Sequence, residues 1–270
     1  MSKASDGAIT LQLATQVNGR GVPFIWGHTL LGSMAQEDAT GVFGWQELTD
    51  IAKVIRFDAN GHGQSDSSHD PDDHTWEQRA EDMWAVTNNL TRSKQVVLGG
   101  ASMGSATALH AACKQPEKVK GLILVIPPTA WDERIRQMDI YNKMSQYINL
   151  LGNWPFKLLQ RMASFEMRRK TGFKEKLERN TARHINANDH KAIIAALRGA
   201  ALSDLPPVRK LKKLEMPVLI LAWPDDKVHP VSTAEKLSGL LPNATLSVAS
   251  HRNAPYQWGD QVREFLLALR

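Results

Sequence analysis

The chain predicts an α/β fold with a mostly parallel central sheet flanked by helices, and three observations predict it. Short apolar runs alternate with helix-period segments through the first two-fifths of the 270 residues, and sheet periodicity returns after Pro206-Pro207. The runs Val119 to Ile126 and Pro217 to Ala222 are continuously apolar, as strands covered on both faces are. A third run, Gln95 to Leu98, passes through Gly99-Gly100-Ala101-Ser102-Met103-Gly104 into a small-residue stretch reaching Cys113, which reads as a strand, a sharp turn and a helix.

In order along the chain, Thr10 to Gln16 reads as a first strand. Pro23 to Trp26 and Ala52 to Phe57 are short apolar runs ending in Gly or Asp. Thr75 to Leu90 carries Trp76, Ala80, Met83, Trp84 and Leu90 at helical spacing, with Asp70-Pro71-Asp72-Asp73 as the stop before it. Val119 to Ile126 is closed by Pro127-Pro128. From Thr129 to Leu205 no strand pattern emerges, and Met, Arg, Lys and Leu recur at mixed helical spacing. The expected organisation is a core of residues 1–128 and 206–270 with a helical cap insertion over 129–205. After Pro217 to Ala222, Ala244 to Val248 is the last strand. The last helix shows one apolar face of Trp258, Val262, Phe265, Leu266 and Leu269.

Composition narrows the function classes. No run approaches the eighteen or so apolar residues of a membrane span. The first residues lack the apolar core of a signal peptide, and the single cysteine, Cys113, permits no internal disulfide. A cytoplasmic protein is expected, with Cys113 as a small packing residue. The net charge of +5 is uneven. From Trp131 to Glu215 there are 18 Lys and Arg against 9 Asp and Glu; the rest carries 15 against 19. With no nucleic-acid motif beside it, the basic segment reads as the solvated outer face of the insertion, and no nucleic-acid partner is expected. A small-molecule substrate is.

Gly100-x-Ser102-x-Gly104 places a serine where a tight turn can expose its hydroxyl, with glycines where side chains would collide with the neighbouring strand and helix. A serine hydroxyl needs a base within reach and a group that orients the base. Trp223-Pro224-Asp225-Asp226-Lys227-Val228-His229-Pro230 follows a buried strand and His251 follows the last one, so both belong to the carboxyl rim of a parallel sheet, where ligands bind.

With these residues the chain resembles the α/β-hydrolase superfamily, as a capped, serine-esterase-like member. Gly27-His28-Thr29-Leu30-Leu31-Gly32-Ser33 resembles the loop after that family's third strand. Asp58-Ala59-Asn60-Gly61-His62-Gly63-Gln64-Ser65 resembles its Asp-x-x-Gly-His-Gly-x-Ser turn. Gly100 to Gly104 matches the nucleophile elbow, Pro217 to Pro230 the strand and loop bearing the acid, and His251 stands where the family has its base. The resemblance implies Ser102 as nucleophile, His251 as base, Asp226 as the acid orienting it, and the backbone N–H groups of Leu30 and Met103 as the oxyanion hole. Asp226 is preferred over Asp225 because Asp226 to Pro230 fits the family's Asp-x-x-x-Pro. Two positions depart from the pattern: Thr29 and Trp223 stand where the family usually has glycine. The hydroxyl of Thr29 is a candidate extra donor, and the bulk of Trp223 is expected to reshape the pocket wall.

The remaining histidines have plainer readings. His28 orders its own loop, His62 is a structural turn residue, and His229 is exposed. His184 and His190 are poorly spaced to share a metal, so neither a metal nor a cofactor is expected. The implied activity is hydrolysis of an ester of a small or medium carboxylic acid through an acyl-enzyme. Trp131, Met138, Tyr141, Met144, Trp154, Phe156 and Met162 are candidates to line an apolar pocket under the cap. Lactone hydrolysis, carbon–carbon bond hydrolysis and cofactor-free perhydrolysis use the same three groups. A non-catalytic ligand receptor on this fold is the reading from a different class.

Overall fold

The structure, a computed structural model, describes residues 11–41, 43–152, 189–250 and 257–270. Seven strands form one sheet: β1 (Thr15–Asn18), β2 (Val22–Gly27), β3 (Ala52–Phe57), β4 (Val96–Ala101), β5 (Val119–Val125), β6 (Val218–Ala222) and β7 (Ala244–Val248). Their spatial order is β1-β3-β2-β4-β5-β6-β7. All neighbours are parallel except β1, which runs antiparallel to β3. The continuous apolar runs become the buried strands β5 and β6, as sequence led one to expect.

The first strand lies further along than the sequence pattern implied. Thr10 falls outside the described residues, and strand pairing starts only at Thr15. Gln12 and Ala14 bond instead to the turn after β3. Gln12 N–H donates to Asp66 Oδ2 at 2.9 Å, Ala14 N–H to Ser65 Oγ at 2.8 Å, and Asp58 N–H to the Ala14 carbonyl at 2.9 Å. That pairing with a loop is a long-range choice, invisible to local periodicity.

Apolar layers cover both faces. On one, α2 (Trp76–Leu90), α3 (Met103–Lys114) and a helix over Val231–Leu240 bury Met83, Trp84, Ala108, Leu109 and Leu237 against Ile25, Leu98 and Ile220. The small side chains of α3 let it sit close to the strands: Ala106, Ala108, Ala111 and Ala112 are fully enclosed. Cys113 is half-buried against this layer, and burial pushes its thiol up to about 11. On the other face the last helix, Trp258–Ala268, packs Trp258, Val262 and Leu266 on Phe24, Val97 and Ile123.

Between β5 and β6 the described residues form helices and no strand, chiefly α4 (Arg134–Leu151) and α5 (His190–Leu202). These two pack on each other through Tyr141, Ile148, Ile193 and Leu197, and on Leu31 of the loop after β2. Arg134 is buried beneath them, stacked on Trp76 and donating to the carbonyls of Ser203 and Ala200. Trp154, Phe156, Met162 and His184 lie outside the described residues.

A short helix unassigned from sequence, α1 (Met34–Thr40), follows the loop after β2. It carries Glu37 into the protein, where Trp26 Nε1 donates to its carboxyl at 2.8 Å and Arg56 Nη1 stands 3.9 Å away. Burial outweighs both partners and raises Glu37 from its ordinary 4.5 to about 8. The folded state therefore holds this proton more tightly than the unfolded chain. The stabilisation is complete below 4.5 and is lost as pH rises through 8. Across that interval Glu37 is expected to lower unfolding free energy by about 1.4 kcal/mol per pH unit. Urea unfolding over the interval should show this decline in the parent protein and a flatter line in Glu37→Gln. Parallel lines would contradict it.

Candidate active site

The sheet order reverses between β2 and β4, and Gly27 at the end of β2 pairs with Gly100 at the end of β4. Such a switch point opens a crevice at the carboxyl ends of the strands. Two segments enter it side by side, the loop after β2 and the turn after β4.

The turn after β4 is tight. Ser102 has φ +52° and ψ −110°, a region that L-residues rarely occupy, and α3 starts at the next residue. The backbone is held on both sides: Ser102 N–H donates to the Val125 carbonyl at 2.9 Å, and the Ser102 carbonyl accepts from Ser105 N–H and Ala106 N–H. A Cβ on Gly100 would lie 2.3 Å from the carbonyl carbon of Gly104, and one on Gly104 would lie 1.9 Å from the Gly27 oxygen. The glycines are thus required by close approach of strand and helix.

The loop after β2 is pinned from behind. Gly104 N–H donates to the His28 carbonyl at 3.1 Å, which ties the loop to the serine turn. His28 Nε2 accepts from Ala59 N–H at 3.0 Å, with its Nδ1 2.7 Å from the Thr29 carbonyl. His62 Nε2 accepts from Leu31 N–H at 3.1 Å, with its Nδ1 2.9 Å from the Asn60 carbonyl. Each ring accepts at one nitrogen and donates at the other, so both are neutral. Burial, aided by Arg79, holds His62 well below the ordinary histidine range. Asp58 accepts from Met34 N–H at 2.7 Å and from Gln64 N–H at 2.9 Å, which joins α1 to the same turn. The Thr29 hydroxyl lies against Gly32 beside Gln36. The N–H groups of Leu30 and Met103 have no hydrogen-bond partner among the described residues; that of Met103 is an open donor of the first turn of α3.

The third segment, residues 223–230, follows β6. Asp226 Oδ1 accepts from Val228 N–H at 2.9 Å and His229 N–H at 3.2 Å. Asp226 Oδ2 accepts from Trp223 Nε1 at 2.9 Å and stands 3.0 Å from His229 Nδ1. His229 Nε2 is 2.7 Å from Ser102 Oγ. With the imidazole proton on Nδ1, the hydroxyl donates to Nε2 and Nδ1 donates to the carboxylate. Burial opposes ionisation of Asp226, but the donations from His229, Trp223 and Val228 outweigh it and hold the carboxyl well below the usual carboxylate range.

Ser102 and Asp226 are thus joined through His229. Asp225 is exposed, with φ +62°, and it is the Asp226 carboxylate that meets the imidazole. His251 lies outside the described residues. His229 departs from its expected exposure: only 15% of its side chain is accessible. Its signal in the sequence was the spacing Asp226-x-x-His229, which lets one turn bring both side chains together. Trp223 does more than fill a wall. Its indole stacks on Trp258 at 5.3 Å and donates to the Asp226 carboxylate. His190 sits at the surface beside Asp189. Among the described residues no group of three or more His, Cys, Asp or Glu is placed to hold a metal ion, and no helix is long and apolar enough to cross a membrane.

This geometry defines a class, α/β proteins with a serine on a strained strand-to-helix turn at the rim of a parallel sheet. Comparison with known proteins narrows it. The family model for the alpha/beta hydrolase fold matches residues 28–254, and the chain belongs to the α/β-hydrolase family, as an enzyme of the hydrolase class. A protein of Caulobacter sp. (strain K31) that bears the name carbamate hydrolase RutD is 26% identical over 204 residues, covering 76% of this chain and 74% of its own. Among solved structures, a thermophilic esterase from Thermogutta terrifontis superposes with a TM-score of 0.77 at 24% identity, covering 96% of this chain and 94% of its own. The enol-lactonase from Burkholderia xenovorans LB400 superposes with a TM-score of 0.72 at 14% identity, covering 96% of each chain. At these identities the superpositions speak for the fold.

Proposed function

We propose that the protein is a serine hydrolase that cleaves a carboxylic ester of a small or medium substrate through an acyl-enzyme. The observation that carries this reading is the Ser102 hydroxyl, held on a strained turn with its oxygen 2.7 Å from an imidazole nitrogen. Ser102 Oγ attacks the ester carbonyl while the imidazole takes its proton. The carbonyl electron pair moves onto oxygen and is met by the N–H groups of Leu30 and Met103. One such donor is typically worth about 3 kcal/mol. Collapse of the adduct expels the alcohol, which receives the proton from the imidazole. Water then repeats the sequence on the acyl-enzyme and frees the acid. The Asp226 carboxylate holds the ring in the tautomer this requires and stabilises its charged form.

Residues 129–205 act as a cap in this reading. The contact of α4 and α5 with Leu31, next to the proposed oxyanion donor, supports that role. A cap that is apolar where α4 and α5 meet Leu31 and rich in Lys and Arg by sequence suits an uncharged or anionic ester in the cytoplasm. The names of the relatives support the chemistry, since lactones and carbamates are also opened by attack on an acyl carbon.

The test is a series of p-nitrophenyl esters of increasing acyl length, with a lactone and a carbamate alongside. The ester series should be turned over, with a preference for short or medium acyl chains. No turnover of any ester would contradict the reading.

A further inference from the structure

We infer that the general base is His229, supplied by the same turn as the acid that orients it, and that His251 stands outside the catalytic machinery. The inference rests on the serine-hydrolase reading and goes beyond it, because the family resemblance implies a base from the segment after the last strand.

The turn explains how four residues deliver both groups. Asp226 Oδ1 accepts from the N–H groups two and three residues ahead, which curls the chain back on the carboxylate. The side chain at the third residue then returns to the other oxygen, and His229 Nδ1 meets Oδ2 at 3.0 Å. Pro230 leaves the turn at φ −68°, and Val231 opens the next helix. The turn is fastened from two other elements. Thr129 N–H donates to the Val228 carbonyl at 3.0 Å, and Trp223 Nε1 donates to Asp226 Oδ2.

Two counts of hydrogen-bonding capacity favour His229. Ionised Asp226 offers about four lone-pair sites. The N–H groups of Val228 and His229, the Trp223 indole and His229 Nδ1 are four donors. A second imidazole could use this acid only by displacing one of them. Ser102 has one hydroxyl proton, and His229 Nε2 stands at 2.7 Å to receive it. The side chains of His229 and Asp226 are 15% and 11% accessible, enclosed but not sealed from solvent.

The proton balance closes on one nitrogen. Nε2 takes the Ser102 proton as the Oγ–carbon bond forms and gives it to the alcohol oxygen as the ester carbon–oxygen bond breaks. It then takes a proton from water as the acyl-enzyme is attacked and returns it to Oγ as the acid leaves.

The experiment compares Ser102→Ala, His229→Gln, His229→Ala and His251→Gln in the full chain, with a p-nitrophenyl ester as probe and thermal melts to check folding. His229→Gln should lose about 10³-fold or more in kcat. His229→Ala should regain part of its lost activity when free imidazole is added. His251→Gln should stay within about tenfold of the parent. If His251→Gln loses as much as His229→Gln, or if His229→Gln keeps its activity, the inference is overturned. A folded His229→Ala that imidazole does not restore also counts against it. Full activity in Ser102→Ala would instead defeat the serine-hydrolase reading, whichever histidine matters.

Discussion

Replacing Ser102 by alanine is expected to remove ester turnover, by about 10⁴-fold or more, while the protein stays folded. The hydroxyl is the only group lost. The backbone bonds that hold the turn, to Val125, Ser105 and Ala106, do not involve it. In the proposed mechanism the Leu30 and Met103 N–H groups remain in place, so a residual rate would report their contribution to an ester attacked by water. Stability carries a second signature. Ser102 sits at φ +52°, and alanine inherits that strain whereas glycine does not. Ser102→Gly should therefore be more stable than Ser102→Ala by about 1 kcal/mol. Activity of Ser102→Ala within tenfold of the parent, or Ser102→Gly melting below Ser102→Ala, would contradict the assignment of the turn.

Gly104→Ala is expected to damage stability and activity together. The added Cβ would sit 1.9 Å from the Gly27 oxygen and 2.4 Å from its carbonyl carbon. Neither side can yield cheaply. Gly27 ends β2, which is paired on both flanks, and α3 is buried along its length. The cost of such overpacking is about 3 kcal/mol or more. Whatever shift relieves the clash also breaks the bond from Gly104 N–H to the His28 carbonyl, which aligns the Leu30 loop with the serine. Gly239 provides the contrast. It lies in the helix over Val231–Leu240, and a Cβ there meets nothing within 4 Å. Gly239→Ala should be neutral or stabilising by about 0.5–1 kcal/mol. The urea midpoint of Gly104→Ala should fall, and that of Gly239→Ala should hold or rise. A Gly104→Ala midpoint equal to the parent's would refute the packing argument.

The sheet and the serine turn were legible because their signals are local. The apolar runs at Ala52–Phe57 and Val218–Ala222 need no partner to be read as buried strands, and Gly100-Ala101-Ser102-Met103-Gly104 encodes its own turn. What was hidden depends on contacts across the chain. The first strand shifted because Gln12 and Ala14 bond to a turn some fifty residues away. His229 read as a surface residue because its partner Ser102 is 127 residues distant, and the side-chain bonds that curl its loop leave no periodic trace. The bulk of Trp223 was legible as a change in the pocket wall, but the donation of its indole to Asp226 Oδ2 was not. The short helix bearing Glu37 is set by caps at Ser33 and Gly41 rather than by an apolar stripe, so periodicity passed it over.

An acyl-enzyme mechanism requires the oxygen of residue 102 to be an activated nucleophile. Reaction of the folded protein with a fluorophosphonate, followed by mass spectrometry of its peptides, examines this without knowing the natural substrate. The expected result is a single phosphonyl adduct on the peptide carrying Ser102, absent from Ser102→Ala. A folded protein that takes up no label, or takes it up elsewhere, would contradict it.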